Sequence, residues 1–204
     1  LLLVYLGLPS LGLRLSPGTY RIRGAISGSK VVIYDSGTVE LVENTSTNLL
    51  YYTLRSANLL QCMLLPVSGS GAGAVIAKNV VSAVKVVNAA LNAGTIDGFL
   101  DGAQFVDDVA YAVATDYQLQ TSGAHTLTFE ATSTAGAAIA SLQQTLESAS
   151  DISVLVVGFP GAVQAIAFAD DNISPLAGQC RMRFVNASSD NAAYDVYVGD
   201  TKVA

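Results

Sequence analysis

Apolar residues along this chain come in short runs, most alternating with polar ones, and nearly every run stops at Gly, Asn, Asp, Ser or Pro. Six stretches show the pattern most clearly: AVKVVNA (83–89), IDGFL (96–100), DYQLQ (116–120), AHTLTFEAT (124–132), DISVLVVGF (151–159) and AVQAIAFA (162–169). Runs of this length, rich in β-branched residues and closed by turn formers, predict strands. Their number and spacing predict an all-β protein of packed antiparallel sheets, a sandwich or a barrel. In TAGAAIASLQQTLESAS (134–150), Ile139, Leu142 and Leu146 fit one face of a helix, but the internal repeat favours a strand. The Gly/Ser/Pro-rich stretches 67–74 and 172–179 read as linkers.

The repeat has two offsets. Shifted by 98, residues 85–102 fall on 183–200, matching Val87 with Val185, Asn88 with Asn186, Ala89 with Ala187 and Asp97 with Asp195, while Phe99 meets Tyr197. Shifted by 106 and then 105, residues 3–22 fall on 109–127, pairing Tyr5 with Tyr111, Leu13 with Leu119 and Gly18 with Gly123; residues 42–54 then fall on 146–158. One order of elements satisfies all these matches. It divides the chain into a back part of one unit (1–77), a complete unit (78–173), a linker (174–179) and the front part of a further unit (180–204).

The stretch CRMRFVNASSDNAAYDVYVGDTKVA (180–204), with LVYLGLPSLGLRLSPGTYRI (3–22) following it in repeat order, carries a family resemblance. A strand into a V-x-A-S-like turn, a V-D-V-Y-V-like strand and a Leu-x-x-Gly-Thr-Tyr-like hairpin resemble the secreted bacterial domain-of-unknown-function family 4397. The resemblance is strong in 181–204 and 13–23 and weaker in the middle unit, where Gly98 stands in for an apolar residue. It implies immunoglobulin-like sandwiches in tandem and an exported or cell-surface setting. It implies no activity.

Within these strands, Tyr194, Val196 and Val198 share one face while Asp195 and Tyr197 share the other. Two front strands alone bury too little apolar surface to offset their ordering entropy, and a back part without them leaves an open edge. The expectation is that 180–204 completes 1–77, within one chain as a closed two-unit monomer or between chains as strand donation. The expected assembly residues are Arg183, Val185, Tyr194, Val196 and Val198. The two cysteines, Cys62 and Cys180, fall one in each part. Because first and last strands of an immunoglobulin-like sandwich can lie side by side, a Cys62–Cys180 disulfide is expected, with free thiols as the alternative.

Composition narrows the chemistry. Only 13% of residues are charged, the net charge is −6, and no Lys/Arg cluster occurs, which excludes the electrostatic footprint of a nucleic-acid binder. That low-charge polar surface favours an extracellular or cell-surface protein. No run reaches the roughly 20 apolar residues of a membrane helix, because Pro9, Gly12 and Arg14 interrupt the apolar start. His125, the single histidine, aligns with Tyr20 on a hairpin strand and is expected to be structural. The acidic pairs 107–108 and 170–171 read as solvated turns rather than Ca²⁺ loops, and GSGAGA lacks the lysine of a phosphate loop. Asn44, Asn172 and Asn186 head N-x-[ST] triplets. With no cofactor or metal expected and no convergent charged site, an enzyme is not expected. The leading reading is a non-enzymatic structural protein that joins copies of itself head to tail through 180–204. The alternatives are a monomeric adhesion or carbohydrate-binding module using Tyr51, Tyr52 and Tyr111, or an excerpt of a longer tandem array.

Overall fold

A computed structural model describes residues 12–53, 56, 58–68, 74–188 and 192–203. The expected Tyr5–Tyr111 match and the Gly/Ser run 69–73 lie outside the described residues. The first part contains β1 (Gly18–Tyr20), β2 (Arg23–Ala25), β3 (Val32–Asp35), β4 (Val39–Leu41), β5 (Ser46–Tyr52), β6 (Gln61–Ser68) and β7 (Val75–Ala77). The middle contains β8 (Val81–Ala90), β9 (Ile96–Leu100), β10 (Ala103–Val109), β11 (Gln118–Thr121), β12 (Gly123–Ala131), β13 (Ala138–Leu146), β14 (Asp151–Gly158) and β15 (Gln164–Asp170). A hairpin of β16 (Tyr197–Val198) and β17 (Thr201–Lys202) follows. The chain is all-β; one 3₁₀ turn, Thr132–Thr134, is the only helical element among the described residues.

From Val84 onward β8 alternates, whereas β14 is buried along most of its length. Along β8, Ser82, Val84, Val86, Asn88 and Ala90 are buried, and Lys85, Val87 and Ala89 between them are half-buried. Two four-stranded sheets result, in the orders β10-β9-β12-β13 and β11-β8-β14-β15. Between them pack Val84, Val86, Leu127, Phe129, Leu146, Ile152, Val154 and Val156, all at most 3% exposed. This two-layer arrangement is consistent with the expected immunoglobulin-like sandwich. The 134–150 stretch is strand β13, not helix, and it pairs with β12 from Gly123↔Leu146 onward. Two features differ from the expectation. β8 and β14 pair in parallel, from Asp151↔Ala83 to Gly158↔Ala90. β10 was not legible, because Asp107 and Asp108 interrupt its apolar pattern at the point where its register with β9 breaks.

The first part carries small sheets of two and three strands. β1 pairs with β4 and β2 with β3, a long hairpin broken at its centre, where Arg21 and Arg23 both bind Asp35 at 2.6 and 3.1 Å. β5-β6-β7 forms a second sheet. Its core is small: Tyr34, Cys62 and Ala77 are buried, with Ile22, Val39, Tyr51, Leu60 and Leu64 partly so. The part is joined to the middle unit without a spacer. Leu59 packs with Ala83 and Ala149, Ser56 Oγ donates to Asp151 Oδ1 at 2.6 Å, and Gln61 Nε2 donates to the Ser148 carbonyl at 3.4 Å.

Local geometry repeats between the parts. The pairs Gly18↔Leu41, Thr19↔Glu40 and Tyr20↔Val39 stand 105 positions before Gly123↔Leu146, Ala124↔Thr145 and His125↔Gln144. Tyr20 Oη donates to the Ser16 carbonyl, four residues back, as the His125 ring meets the Thr121 carbonyl. The pairs Phe99↔Gln104 and Leu100↔Ala103 likewise stand 98 positions before Tyr197↔Lys202 and Val198↔Thr201.

Gly98, where an apolar residue was expected, is closely packed. A Cβ there would lie 2.6 Å from Val106 Cγ2 and 3.1 Å from Phe129 Cε1, so the missing side chain makes room for the Phe129 ring. Gly98→Ala is expected to cost about 1–3 kcal/mol by overpacking. Denaturant unfolding checks this, and an unchanged midpoint would contradict it.

Candidate functional site

The C-terminal segment is where expected strands and observed strands part. Among the described residues, 174–196 form no strand, and the expected strands around Arg183–Val185 and Tyr194–Val198 survive only as Tyr197–Val198. The reason is physical: an isolated two-stranded hairpin is marginal, and nothing pairs with this one. Val185, Tyr194 and Val198 are 48%, 55% and 56% exposed; Val196 is half-buried, its carbonyl accepting from Val203 N at 2.8 Å. The segment is held to the outer edge of β15 chiefly by arginines. Arg183 meets Asp170 Oδ1 at 3.0 Å, donates to the Ala169 carbonyl at 2.9 Å and covers the Phe168 ring at 5.0 Å. Arg181 binds the Asp171 carboxylate at 2.8 Å. A cleft of about 700 Å³ remains beneath the segment, lined by Phe168, Ile173, Cys180 and Met182 among others.

The first part has strand edges without a described neighbour. In the middle unit β8 lies between β11 and β14, and β9 between β10 and β12. By register and order, β5 corresponds to β14, and β1 with β2 corresponds to β12. β5 pairs only with β6, β1 only with β4 and β2 only with β3, so among the described residues the edges that would adjoin counterparts of β8 and β9 carry no strand. Apolar side chains there are exposed, among them Leu49 at 40% and Leu50 at 50%. No backbone hydrogen bond between described residues joins 174–203 to 12–77.

The cysteines do not meet. The expected Cys62–Cys180 bridge is not formed, and both are free thiols. Cys62 sits on β6, buried against Tyr34 and Ala77, with β7 rather than the C-terminal segment beside it. Burial pushes its thiol up and raises Tyr51 to about 12. Cys180 is exposed at the start of the segment.

Other singled-out residues have structural surroundings. His125 Nδ1 lies 2.7 Å from Asp101 Oδ2, and Asp101 also accepts from Thr126 N at 2.8 Å, so both residues tie the β9–β10 turn to β12. Asp101 is held below the usual carboxylate range, first by the Thr126 amide and then by His125. Asp107 and Asp108 stand with Asp97, carboxylate oxygens within 4.8 Å, a grouping not legible from the adjacent pair alone. Asp97 Oδ1 accepts from Asp108 N at 2.9 Å and from Thr132 Oγ1 at 3.3 Å. The expected aromatic surface is dispersed: Tyr51 packs edge-on against Tyr34 at 5.1 Å, Tyr52 is half-buried, and Tyr111 is exposed on the middle unit. Asn172 donates to Asp151 Oδ2 at 2.6 Å and to Tyr117 Oη at 3.0 Å, which locks the exit from β15.

These features define an all-β sandwich protein followed by a strand-like segment that its own sandwich does not absorb. Residues 82–203 match the family described as Domain of unknown function (DUF4397), and the chain belongs to that family. The match runs from β8 to the C-terminal hairpin, so sandwich and segment both fall within it. No curated protein matches the chain.

Thiol titration tests the cysteine geometry. One thiol per chain, Cys180, is expected to react rapidly with a disulfide reagent in the native protein, and Cys62 only after unfolding. Two unreactive cysteines that appear only after reduction would contradict it.

Proposed function

We propose that this is a non-enzymatic structural protein of tandem immunoglobulin-like units that self-assembles by strand donation. Residues 180–203 of one copy complete the half-sandwich, residues 12–77, of the next. The observation that carries this reading is the segment's geometry: residues 197–202 already hold the β9–β10 hairpin register, yet Tyr194, Tyr197 and Val198 remain more than half exposed. Side chains of this size contribute roughly 1.5–3 kcal/mol each when fully buried. Their turn is already formed, so less of the ordering cost, about 1–2 kcal/mol per residue, falls on docking.

The half-sandwich supports the same reading from the other side. An edge without a neighbour is a template for a strand, and strand addition gives main-chain hydrogen bonds for affinity and side-chain pockets for specificity. A donor on one surface and an acceptor on another make a head-to-tail contact that does not close on itself, so the product is a fibre. An extracellular or cell-surface setting belongs to this proposal; it rests on the 13% of charged residues and the Ser-, Thr-, Asn- and Gly-rich surface.

Light scattering across a concentration series tests the proposal. Mass is expected to rise well beyond the 21.0 kDa of one chain, without a plateau at the dimer. A monomer at millimolar concentration would overturn it.

A further inference from the structure

In the middle unit, β8 starts against the 147–150 turn. The Ser82 and Ser150 hydroxyls both donate to the Glu147 carbonyl, at 2.6 and 2.7 Å. Ala149 N donates to the Val81 carbonyl and Ala83 N to the Ser150 carbonyl, both at 2.9 Å. From there β8 runs parallel to β14, with Ala83 opposite Asp151 and Ala89 opposite Val157, and β11 lies along its other edge.

The first part holds the same turn 105 positions earlier. Thr45 Oγ1 donates to the Val42 carbonyl at 2.7 Å, as Ser150 does to that of Glu147. Asn44 takes φ 58° where Ala149 takes 51°, a left-handed conformation uncommon outside glycine. β5 leaves this turn as β14 leaves its own, with β6 on one edge and, among the described residues, no strand on the other. Residues 13–16, which precede β1 as β11 precedes β12, form no strand, and Leu13 and Leu15 are exposed. The four residues of β11 are a strand through their ladder with β8; 13–16 have no such partner.

We infer that residues 181–187 of one copy add to β5 of the next as a parallel strand, with Arg181 opposite Ser46 and Ala187 opposite Tyr52. This docking rests on the strand-donation reading and adds to it the acceptor edge, the direction and the register. The offsets of 98 and 105 carry the β8–β14 pairs directly onto these residues. The 42–45 turn sets the starting point, with Asn44 N taking the Gln179 carbonyl and the Thr45 carbonyl taking Arg181 N. Met182 and Phe184 then point inward, where Val84 and Val86 fill the middle core, and Arg183 points outward, where Lys85 lies over the Tyr117 ring. Met182 and Phe184 are exposed in the single chain, so docking removes apolar surface from water. A slip of one residue would instead drive Arg181 and Arg183 into the core.

Cysteine cross-linking in the full-length chain tests the register. Because Ser82 and Ser150 meet at one carbonyl, Cys180 and position 45 become neighbours across copies. Under mild oxidation, Thr45→Cys is expected to give a ladder of covalent oligomers on a non-reducing gel, with mass spectrometry placing the bond between position 45 and Cys180. Thr53→Cys, beyond the far end of β5, is expected to give that heterotypic bond at least tenfold more slowly. A bond formed as fast or faster at position 53, or at neither position in a chain that light scattering shows to be assembled, overturns the register and leaves strand donation standing. A bond from position 45 that closes within single chains overturns the pairing between copies. A chain that stays monomeric with no bond overturns both readings.

Discussion

Every strand has two edges, and each must find hydrogen-bond partners or be left to water. The middle unit meets this constraint internally for its two front strands: β8 and β9 are each flanked on both sides, and only β10, β11, β13 and β15 face outward. The first part does not meet it in the same way, since among the described residues β5 and the β1–β4 hairpin are paired on one side only. The difference in burial follows. Fourteen buried apolar residues form the middle core, whereas among the described residues Tyr34, Cys62 and Ala77 form that of the first part.

Polar side chains hold what the sheets do not. Asp35 gathers Arg21 and Arg23 at the break in the first hairpin, and burial of Asp151 between Ser56 and Asn172 joins the half-sandwich, the middle unit and the exit from β15 in one place. Asn88 does the same for the β8–β9 turn. Each of these groups is deeply buried and each satisfies its hydrogen-bonding capacity with partners from separate elements, so each also fixes the register of what it joins. The C-terminal segment is held differently. Besides the Arg183 contacts to the Ala169 carbonyl and the Phe168 ring, it is held by partly exposed arginine–carboxylate pairs, which in water contribute little.

Much of this architecture was legible along the chain. The six clearest alternating runs all became strands, and β13 followed from the repeat where periodicity alone left helix and strand equal. The parallel β8–β14 pair was not legible, because it joins residues about seventy positions apart and alternation says nothing of strand direction. β10 escaped because outward-facing Asp107 and Asp108 mimic a turn. The cysteines were misleading for a related reason. Their positions in separate parts suggested neighbours, but β7 takes the place beside Cys62. The shared Val-Asn-Ala of 87–89 and 185–187 showed that two turns correspond; only the structure shows that the asparagine side chain builds both.

The central claim is that the segment and the half-sandwich pair with each other across copies. Backbone hydrogen exchange at two protein concentrations measures this directly. Amides of 183–198 and those of β5 that face away from β6 are expected to exchange rapidly in dilute solution and to gain protection together as concentration rises, while β8, β12 and β14 stay protected throughout. Exchange in 183–198 that is independent of concentration, whether fast or slow, would contradict the account.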